Sequence, residues 1–290
     1  MIEPKLVDTE TFLKNHCTLP SLPEVVSKVE REINKEEGNI NKITELINGE
    51  PALTSQILKV VNSAYYGLSS EIRNVRMAIA FMGLNEIYRM VLALSVINTL
   101  NVDQKKELNN FWYHSFYSAI CTRYLAKKFE PLMPLEDLWS ASILHDIGKL
   151  VYLKFFPDHY KKLTRYTEKH KCFFSDAEEK YTLPSSSSFG LILCNQWRLP
   201  ENIKHACEYH TLKDLTPKEG KDVNTSFRNI ICLGNLLTML SGDYLNNETK
   251  EKIINGSLMA FGCTENEFLA LMGDIYELAT EINDFSSVLS

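Results

Sequence analysis

The chain has 290 residues, a formal net charge of -6 and 44% apolar residues, with only 12 glycines and 10 prolines. This length and apolar content suffice for a packed core, and the scarcity of glycine and proline argues against a disordered chain or a many-turned β-sandwich. The acidic balance and the absence of a dense run of lysine and arginine argue against a groove for a nucleic-acid backbone. The composition therefore favours a helical protein with no nucleic-acid partner.

Cysteine usage and hydropathy indicate the cellular compartment. The seven cysteines lie far apart without a Cys-x-x-Cys pair, which predicts reduced thiols rather than a zinc cluster or a disulfide framework. The first ten residues lack the basic and then apolar order of a secretory signal. The most apolar stretch, residues 91–100, is too short to span a bilayer. We therefore expect a cytoplasmic protein without a membrane partner.

The first hundred residues predict five helices joined by short links, and no stretch has the alternation of a strand. Ser21 and Glu24 form a predicted capping box, in which a hydroxyl and a carboxylate three residues later satisfy backbone N–H groups. The other four helices are predicted to begin at residues that favour a helix N-terminus: Asn39, Pro51, Asn74 and Asn85.

The remaining residues predict a further set of helices. Aromatic and apolar residues recur at helical spacing over residues 108–128, and a second long helix is predicted over residues 135–153. Thr264 and Glu267 form a second predicted capping box. Shorter predicted helices cover residues 176–180, 189–197, 200–209, 226–240 and 264–282. These patterns together predict an all-α protein.

The clearest chemical signal is the segment ILHDIGKL at residues 143–150, where an apolar helix ends in a histidine and an aspartate. Neighbouring residues of a helix point about 100° apart, so His145 and Asp146 can share one ion only if other helices complete its shell. His114 on the preceding long helix and His210 at the end of a later one are the candidates. Imidazole and carboxylate donors suit iron, manganese, zinc or nickel.

Two interpretations of this segment are open from the residues alone. A hydrolase would use the ion to acidify water, and the nearby Lys149 could neutralise a phosphate oxygen. Alternatively, the histidine is a hydrogen-bonded residue of the core, because a His-Asp dipeptide occurs by chance in many proteins. The apolar context of the dipeptide and the upstream helix that carries His114 favour an HD-type architecture.

Several motifs occur in a fixed order along the chain: LPSLP at residues 19–23, GEPAL at 49–53, VNSAYYG at 61–67, Ala78-Ile79 with Gly83-Leu84, LHDIGKL at 144–150 and WRLP at 197–200. In this order the chain resembles the HDOD proteins, bacterial relatives of the HD-domain phosphohydrolases, over roughly residues 19–212. The resemblance implies an HD-domain-like helical bundle with an N-terminal five-helix subdomain over residues 1–100. An HD-like subdomain over residues 101–215 and packed C-terminal helices over residues 216–290 complete the expected organisation.

Departures from the family pattern predict a degenerate site. Active HD phosphohydrolases have a histidine, a His-Asp pair and a final aspartate, and the resemblance places that last residue at Asn235, whose amide is a poor ligand for a divalent cation. A histidine that the family often has four residues before a glycine is Ser186 here, and the later histidine pair is Tyr209-His210. The remaining metal-ligand candidates are His114, His145, Asp146 and His210.

Three functions follow in order of preference. The first is a non-catalytic bacterial signalling module that has no cofactor and no catalytic residue and acts through an unidentified protein partner. No receiver, GGDEF-like or sensor segment is evident, so its signal is expected to come from a separate molecule. The second is a phosphohydrolase of nucleotides or cyclic dinucleotides that uses a divalent iron, manganese, zinc or nickel ion. The third, DNA binding by the helices over residues 39–63, disagrees with the acidic charge.

Overall fold

The structure, a computed structural model, describes residues 9–36, 38–63, 65–217, 223–242 and 244–280. Within these residues the regular structure is α-helical, apart from one 3-10 turn at Leu212–Asp214. The predicted all-α class is therefore confirmed. No helix in this part of the chain combines the length and hydropathy needed to cross a bilayer.

The described chain groups into two compact units, which we call the five-helix unit, Pro20–Asn101, and the larger unit, residues 9–19 with Val102–Thr280. The division of the chain into three segments stays a prediction. The helices of the five-helix unit are α2 Glu24–Ile33, α3 Ile40–Asn48, α4 Pro51–Val61, α5 Val75–Met82 and α6 Leu84–Leu100. Those of the larger unit are α1 Thr9–His16, α7 Lys105–Phe129, α8 Glu136–Leu144, α9 Ile147–Phe155, α10 Pro157–His170, α11 Phe174–Lys180, α12 Ser186–Gln196, α13 Glu201–Glu208, α14 Val223–Ser241, α15 Asn247–Phe261 and α16 Glu265–Thr280.

Local side-chain chemistry sets several helix starts as predicted. The Asn39 side chain accepts backbone N–H groups of the first turn of α3, and the Asn74 side chain accepts the N–H of Met77 at 2.9 Å. At the start of α16 the N–H and hydroxyl of Thr264 both donate to the Glu267 carboxylate at 2.8 Å, which confirms the second capping box. The predicted end of that helix, residues 281–282, lies outside the described residues.

The predicted capping box at Ser21 and Glu24 is wrong. Helix α2 begins at Glu24, with Pro23 in an extended conformation at the capping position and no side-chain cap. A residue before proline avoids the helical region, so Leu22 cannot start a helical turn behind Ser21. The proline therefore acts as the boundary of the helix rather than as a member of its first turn.

One other boundary differs from the predictions, and three helices were not predicted. Helix α6 begins at Leu84, directly after Gly83 with a φ of 83°, so Asn85 lies inside the helix rather than capping it. Helices α1, α10 and α15 were not predicted. In α10 the reason is clear, because Leu163 is its one buried residue in a polar sequence and a hydrophobic stripe is therefore missing.

The predicted single helix over residues 135–153 is two helices, α8 and α9, which separate at the His-Asp pair. Asp146 has a φ of -101° and a ψ of 14°, in the sparsely populated region between the helical and extended conformations. Its carbonyl accepts the Lys149 N–H at 2.9 Å in a tight turn. The break changes the direction in which the two side chains point, which a continuous helix would not allow.

The glycine of the same segment lies where α9 and α12 come together. A Cβ atom at Gly148 would lie 1.8 Å from the carbonyl oxygen of Ser186 and 2.8 Å from the backbone nitrogen of Gly190. Both are main-chain atoms, so a side chain there would push the two helices apart. Gly148 is therefore required by close backbone approach rather than by a turn.

Gly148→Ala is expected to reduce the free energy of unfolding by about 2–3 kcal/mol or more, because the added methyl group meets backbone that no rotamer change can move. Gly273→Ala is the matched control, since a Cβ there has no heavy atom within 4 Å. That variant should be neutral or more stable by about 0.5–1 kcal/mol. Equal urea-unfolding midpoints for the two variants would contradict the close approach of α9 and α12.

Candidate functional site at the His-Asp pair

The structure brings all four candidate ligands together around one carboxylate. Oδ2 of Asp146 lies 3.5 Å from Nε2 of His114 and 3.5 Å from Nε2 of His145, and Oδ1 lies 3.3 Å from Nε2 of His210. His114 comes from α7, the His-Asp pair from the break between α8 and α9, and His210 from the segment after α13. Four elements of the larger unit therefore meet at a carboxylate that is 1% exposed.

His145 has the orientation of a metal ligand. Its Nδ1 lies 2.6 Å from the carbonyl oxygen of Ser142, and because a carbonyl only accepts, Nδ1 carries the proton. The lone pair is therefore on Nε2, which is buried beside Asp146 without a hydrogen-bond partner. Ligand atoms of His114, His145 and Asp146 lie within 4.8 Å of one another and could hold a metal ion.

Asp146 already has a cation at close range. Nζ of Lys149 lies 2.5 Å from Oδ2, and about a quarter of the lysine side chain is exposed. Burial alone would raise the pKa of the Asp146 carboxyl, but Lys149 first, and then His145 and His210, hold that pKa well below its ordinary value. The aspartate is therefore ionised and its charge is balanced within the protein.

The two histidines nearest Asp146 Oδ2 are neutral. Burial lowers the pKa of His114 to about 4 and the pKa of His145 to about 3, although the Asp146 charge acts in the opposite direction in both cases. At neutral pH the imidazoles contribute lone pairs and N–H groups rather than positive charge. Lys149 is thus the fixed cation that directly contacts the aspartate.

Asn235 lies in the site, at the position that the sequence comparison with the family pattern indicated. Its amide nitrogen donates to the His210 carbonyl at 2.9 Å, which turns its oxygen toward Nε2 of His114, also at 2.9 Å. An amide oxygen accepts hydrogen bonds, so Nε2 of His114 carries the proton in this arrangement. That nitrogen has no lone pair to offer a metal ion while the contact is made.

The donor set fits a tightly held divalent ion poorly. Of the three grouped ligand atoms, Nε2 of His114 is engaged by Asn235 and Oδ2 of Asp146 by Lys149. Nε2 of His145 and Oδ1 of Asp146 are buried without a hydrogen-bond partner. An ion held through Nε2 of His114 would have to break the contact with Asn235, and one held through Oδ2 of Asp146 would have to displace Lys149. The neutral amide of Asn235 returns little of that energy.

Ser186 borders the site through its backbone. Its carbonyl faces Gly148, and its N–H donates at 2.7 Å to the carboxylate of Glu178, a residue that is 2% exposed. Ser186 lines a cavity of about 40 Å³ together with Lys149 and His210. The short serine side chain therefore leaves room for little more than one or two water molecules.

Glu178 is a titratable residue near the site that sequence reasoning missed. Burial raises the pKa of its carboxyl to about 7, against the opposing effects of the Ser186 hydrogen bond and Lys149. Nothing in the surrounding sequence DAEEK distinguishes Glu178 from the exposed Glu179 beside it. Only the packing of α11 against the rest of the larger unit separates the two.

A model of the HDOD domain family matches residues 19–212. The chain belongs to the HDOD family. The match confirms the resemblance found in the ordered motifs, over the same residues. One curated relative, an uncharacterised protein from Treponema pallidum, is 24% identical over 251 residues, which are 86% of this chain and 47% of the relative. A second, the uncharacterised protein YuxH of Bacillus subtilis, is 42% identical over 64 residues, which are 22% of this chain and 16% of the relative. This HDOD chain spans about half the length, or less, of those relatives.

Solved structures share the HDOD fold along most of the chain. A candidate phosphohydrolase from Shewanella amazonensis aligns with a TM-score of 0.67 at 18% identity, over 94% of this chain and 95% of its own. A candidate signal transduction protein from Marinobacter aquaeolei aligns with a TM-score of 0.68 at 17% identity, over 100% of this chain and 62% of its own. An HDOD domain protein of unknown function from Geobacter sulfurreducens has a TM-score of 0.62 at 18% identity, with 96% and 99% coverage. At these identities the likeness establishes the fold alone.

Glu178→Gln is expected to stabilise the protein more at pH 8 than at pH 5, by about 2–3 kcal/mol. The pKa of Glu178 is raised in the folded state, so its stabilising contribution is complete below about pH 4 and is lost as the pH rises through 7. Glutamine has no charge to lose and keeps an acceptor for the Ser186 N–H. Urea unfolding at the two pH values measures the difference.

Glu179→Gln is the matched control for that measurement. Its side chain is 66% exposed and pairs with Lys213, so its effect on the unfolding free energy should be small and the same at both pH values. If Glu178→Gln has the same small effect at pH 5 and pH 8, the buried carboxyl does not have a raised pKa.

Asp146→Ala is expected to reduce the free energy of unfolding by about 2–4 kcal/mol, because it leaves Lys149 without its acceptor and removes the carboxylate around which the histidine rings pack. Asp146→Asn should cost less, since the amide keeps the shape and one acceptor oxygen. Thermal unfolding of both variants tests the order. If both variants unfold at the temperature of the parent, the network is not a structural joint and Asp146 belongs to a ligand site instead.

Proposed function

We propose that this HDOD chain is a non-catalytic bacterial regulatory module of the cytoplasm that acts through a protein partner. The observation that carries the proposal is the position of Asn235, whose amide bridges His210 and His114 where active relatives of the HD fold have a carboxylate. In this bridge Nε2 of His114, a candidate metal ligand, donates its proton to the amide oxygen of Asn235. The site thereby works as a joint between helices rather than as a centre for hydrolysis.

The charge balance of the site supports the same conclusion. With an aspartate at position 235, the site would hold two carboxylates beside each other and would need a divalent cation or two protein cations to balance them. With Asn235, the charge of Asp146 is balanced by Lys149. Hydrolysis of a phosphodiester also needs a donor set that holds an ion, acidifies water and orients it. With Asn235 neutral and His114 engaged, the described residues supply neither a complete ligand set nor a second charged group to orient the water.

The proposal of a protein partner is supported by the fold and by the incomplete ligand set of the site. One structural neighbour is named a candidate signal transduction protein, and a helical bundle with an inactive centre keeps its surfaces available for docking. The chain covers about half of its longer curated relative. A module of this kind acts by changing the state of other domains or proteins.

A phosphohydrolase is the second candidate function, and His145 favours it. Its Nε2 lone pair is buried beside Asp146 without a partner, which is the position of a metal ligand. A structural neighbour from Shewanella amazonensis with 16% identity is named a candidate metal-dependent phosphohydrolase. Iron, manganese, zinc or nickel would suit the imidazole and carboxylate donors of His114, His145 and Asp146.

The metal content of the purified protein separates the two candidates. After purification without chelator, elemental analysis is expected to find well below one transition-metal ion per chain, because the ligand atoms of His114 and Asp146 are engaged. Asn235→Asp should raise the content by restoring an anionic donor, and Asn224→Asp, at an exposed position of the same helix, should not. About one or two tightly held ions in the parent protein would contradict the proposal.

Hydrolysis is expected to be negligible for cyclic nucleotides, cyclic dinucleotides and nucleoside triphosphates, with manganese, iron or nickel added. The assay follows product release by chromatography and includes Asp146→Ala as the control for contaminating activity. Turnover by the parent that disappears in Asp146→Ala would establish an enzyme and exclude the non-catalytic module.

A further inference from the structure

Helix α10 of the larger unit has a cationic face. Lys161, Lys162, Arg165 and Lys169 line one side of an open groove of about 440 Å³, which the end of α11 closes at Tyr181. In the sequence these cations are spread over nine residues and form no dense run. The helix brings them together, because residues three and four apart lie on the same face. We call this feature the cationic groove.

Many other lysines and arginines of the described chain pair with a carboxylate, and the four cations of the groove do not. Lys204, Lys213 and Lys252, for example, lie within 4 Å of a glutamate. Among the described residues, no carboxylate lies at ion-pair distance from the cations of the groove, although Asp158 is in its lining. The groove therefore has positive charge that folding does not neutralise.

The tyrosines of the groove contact neighbouring side chains and do not offer a free aromatic face. Nζ of Lys162 lies 3.8 Å from the ring centroid of Tyr181, and the ring of Tyr166 stacks on His170 at 4.2 Å. The edge of one tyrosine also contacts the ring of the other. A nucleobase would need to displace these side chains in order to stack. The arrangement therefore presents fixed positive charge and favours carboxylates over nucleotides.

We propose that the cationic groove docks an acidic segment of a partner protein. This inference rests on the proposed function as a module that acts through a protein partner. Lys161, Arg165 and Lys169 repeat every four residues and span about 12 Å along the helix. Carboxylates one helical turn apart on a partner helix would match that spacing.

The charge of the whole chain makes the groove selective. A net charge of -6 repels acidic segments from most of the surface, so attraction is confined to the place where unpaired cations gather. A nucleic-acid backbone is a poorer match, because the row of cations is short and the groove offers no free aromatic face for a base. Binding of an acidic segment should therefore be weakened by salt and by charge reversal in the groove.

Fluorescence anisotropy of a labelled peptide tests the inference with the full chain. The probe is a peptide of three Glu-Glu-Ala-Ala repeats, compared with a peptide in which every glutamate is glutamine and with single-stranded DNA of equal length. The test variant is Arg165→Glu with Lys169→Glu. The matched control is Lys105→Glu with Lys106→Glu, which changes the net charge equally at exposed positions in the first turn of α7.

The acidic peptide is expected to bind the parent at low salt, and its affinity should fall about tenfold in the groove variant and by less than about twofold in the control. The glutamine peptide should bind none of the three proteins. Equal losses in the two variants, stronger binding of the DNA, or no binding of the acidic peptide would each overturn the inference. Those failures leave metal content and hydrolysis unchanged, so they are distinguishable from a failure of the proposed function.

Discussion

The burial of one negative charge constrains the larger unit more than any other interaction. The Asp146 carboxylate is almost fully buried, and an unpaired charge in such a place costs several kcal/mol. Its partners come from different elements: Lys149 from the next turn, His114 from α7 and His210 from beyond α13. Lys149 supplies the hydrogen bond and the balancing charge, and the imidazole rings of His114 and His210 pack around the carboxylate, so these contacts together fix the positions of the elements.

The unusual local features of the HD segment follow from that requirement. The helix is interrupted at Asp146, which lets the carboxylate point inward while Lys149 returns to it from the first turn of α9. The same turn presses α9 against α12, which only a glycine at position 148 permits. Asn235 extends the network to α14 without adding charge. An aspartate there would add a second negative charge to the buried network, which the neutral amide of Asn235 avoids.

The sequence predicted what depends on local chemistry and on the ordered motifs of the family. Caps such as Asn39, Asn74 and Thr264 act within one helical turn, so they can be recognised without the fold. The four candidate ligands were identified because the His-Asp pair ends an apolar helix and neighbouring predicted helices carry His114 and His210, and the family pattern then supported their association. The helix break at Asp146 and the raised pKa of Glu178 could not be predicted, because they depend on burial by elements that are distant in the sequence.

The His-Asp site and the cationic groove differ in how much an unpaired charge costs, because one is buried and the other is exposed to water. In the interior, where the dielectric constant is low, Asp146 is stable only with partners. On the surface, water screens unpaired cations, so the protein can fold with Lys161, Arg165 and Lys169 on one face. The fold does not depend on this arrangement of the three side chains. Like charges four residues apart still cost about 0.2–0.5 kcal/mol per pair. The repulsion between these cations therefore slightly destabilises α10, and no carboxylate within the described chain relieves it. An acidic partner would relieve the repulsion on binding, which would add to the affinity.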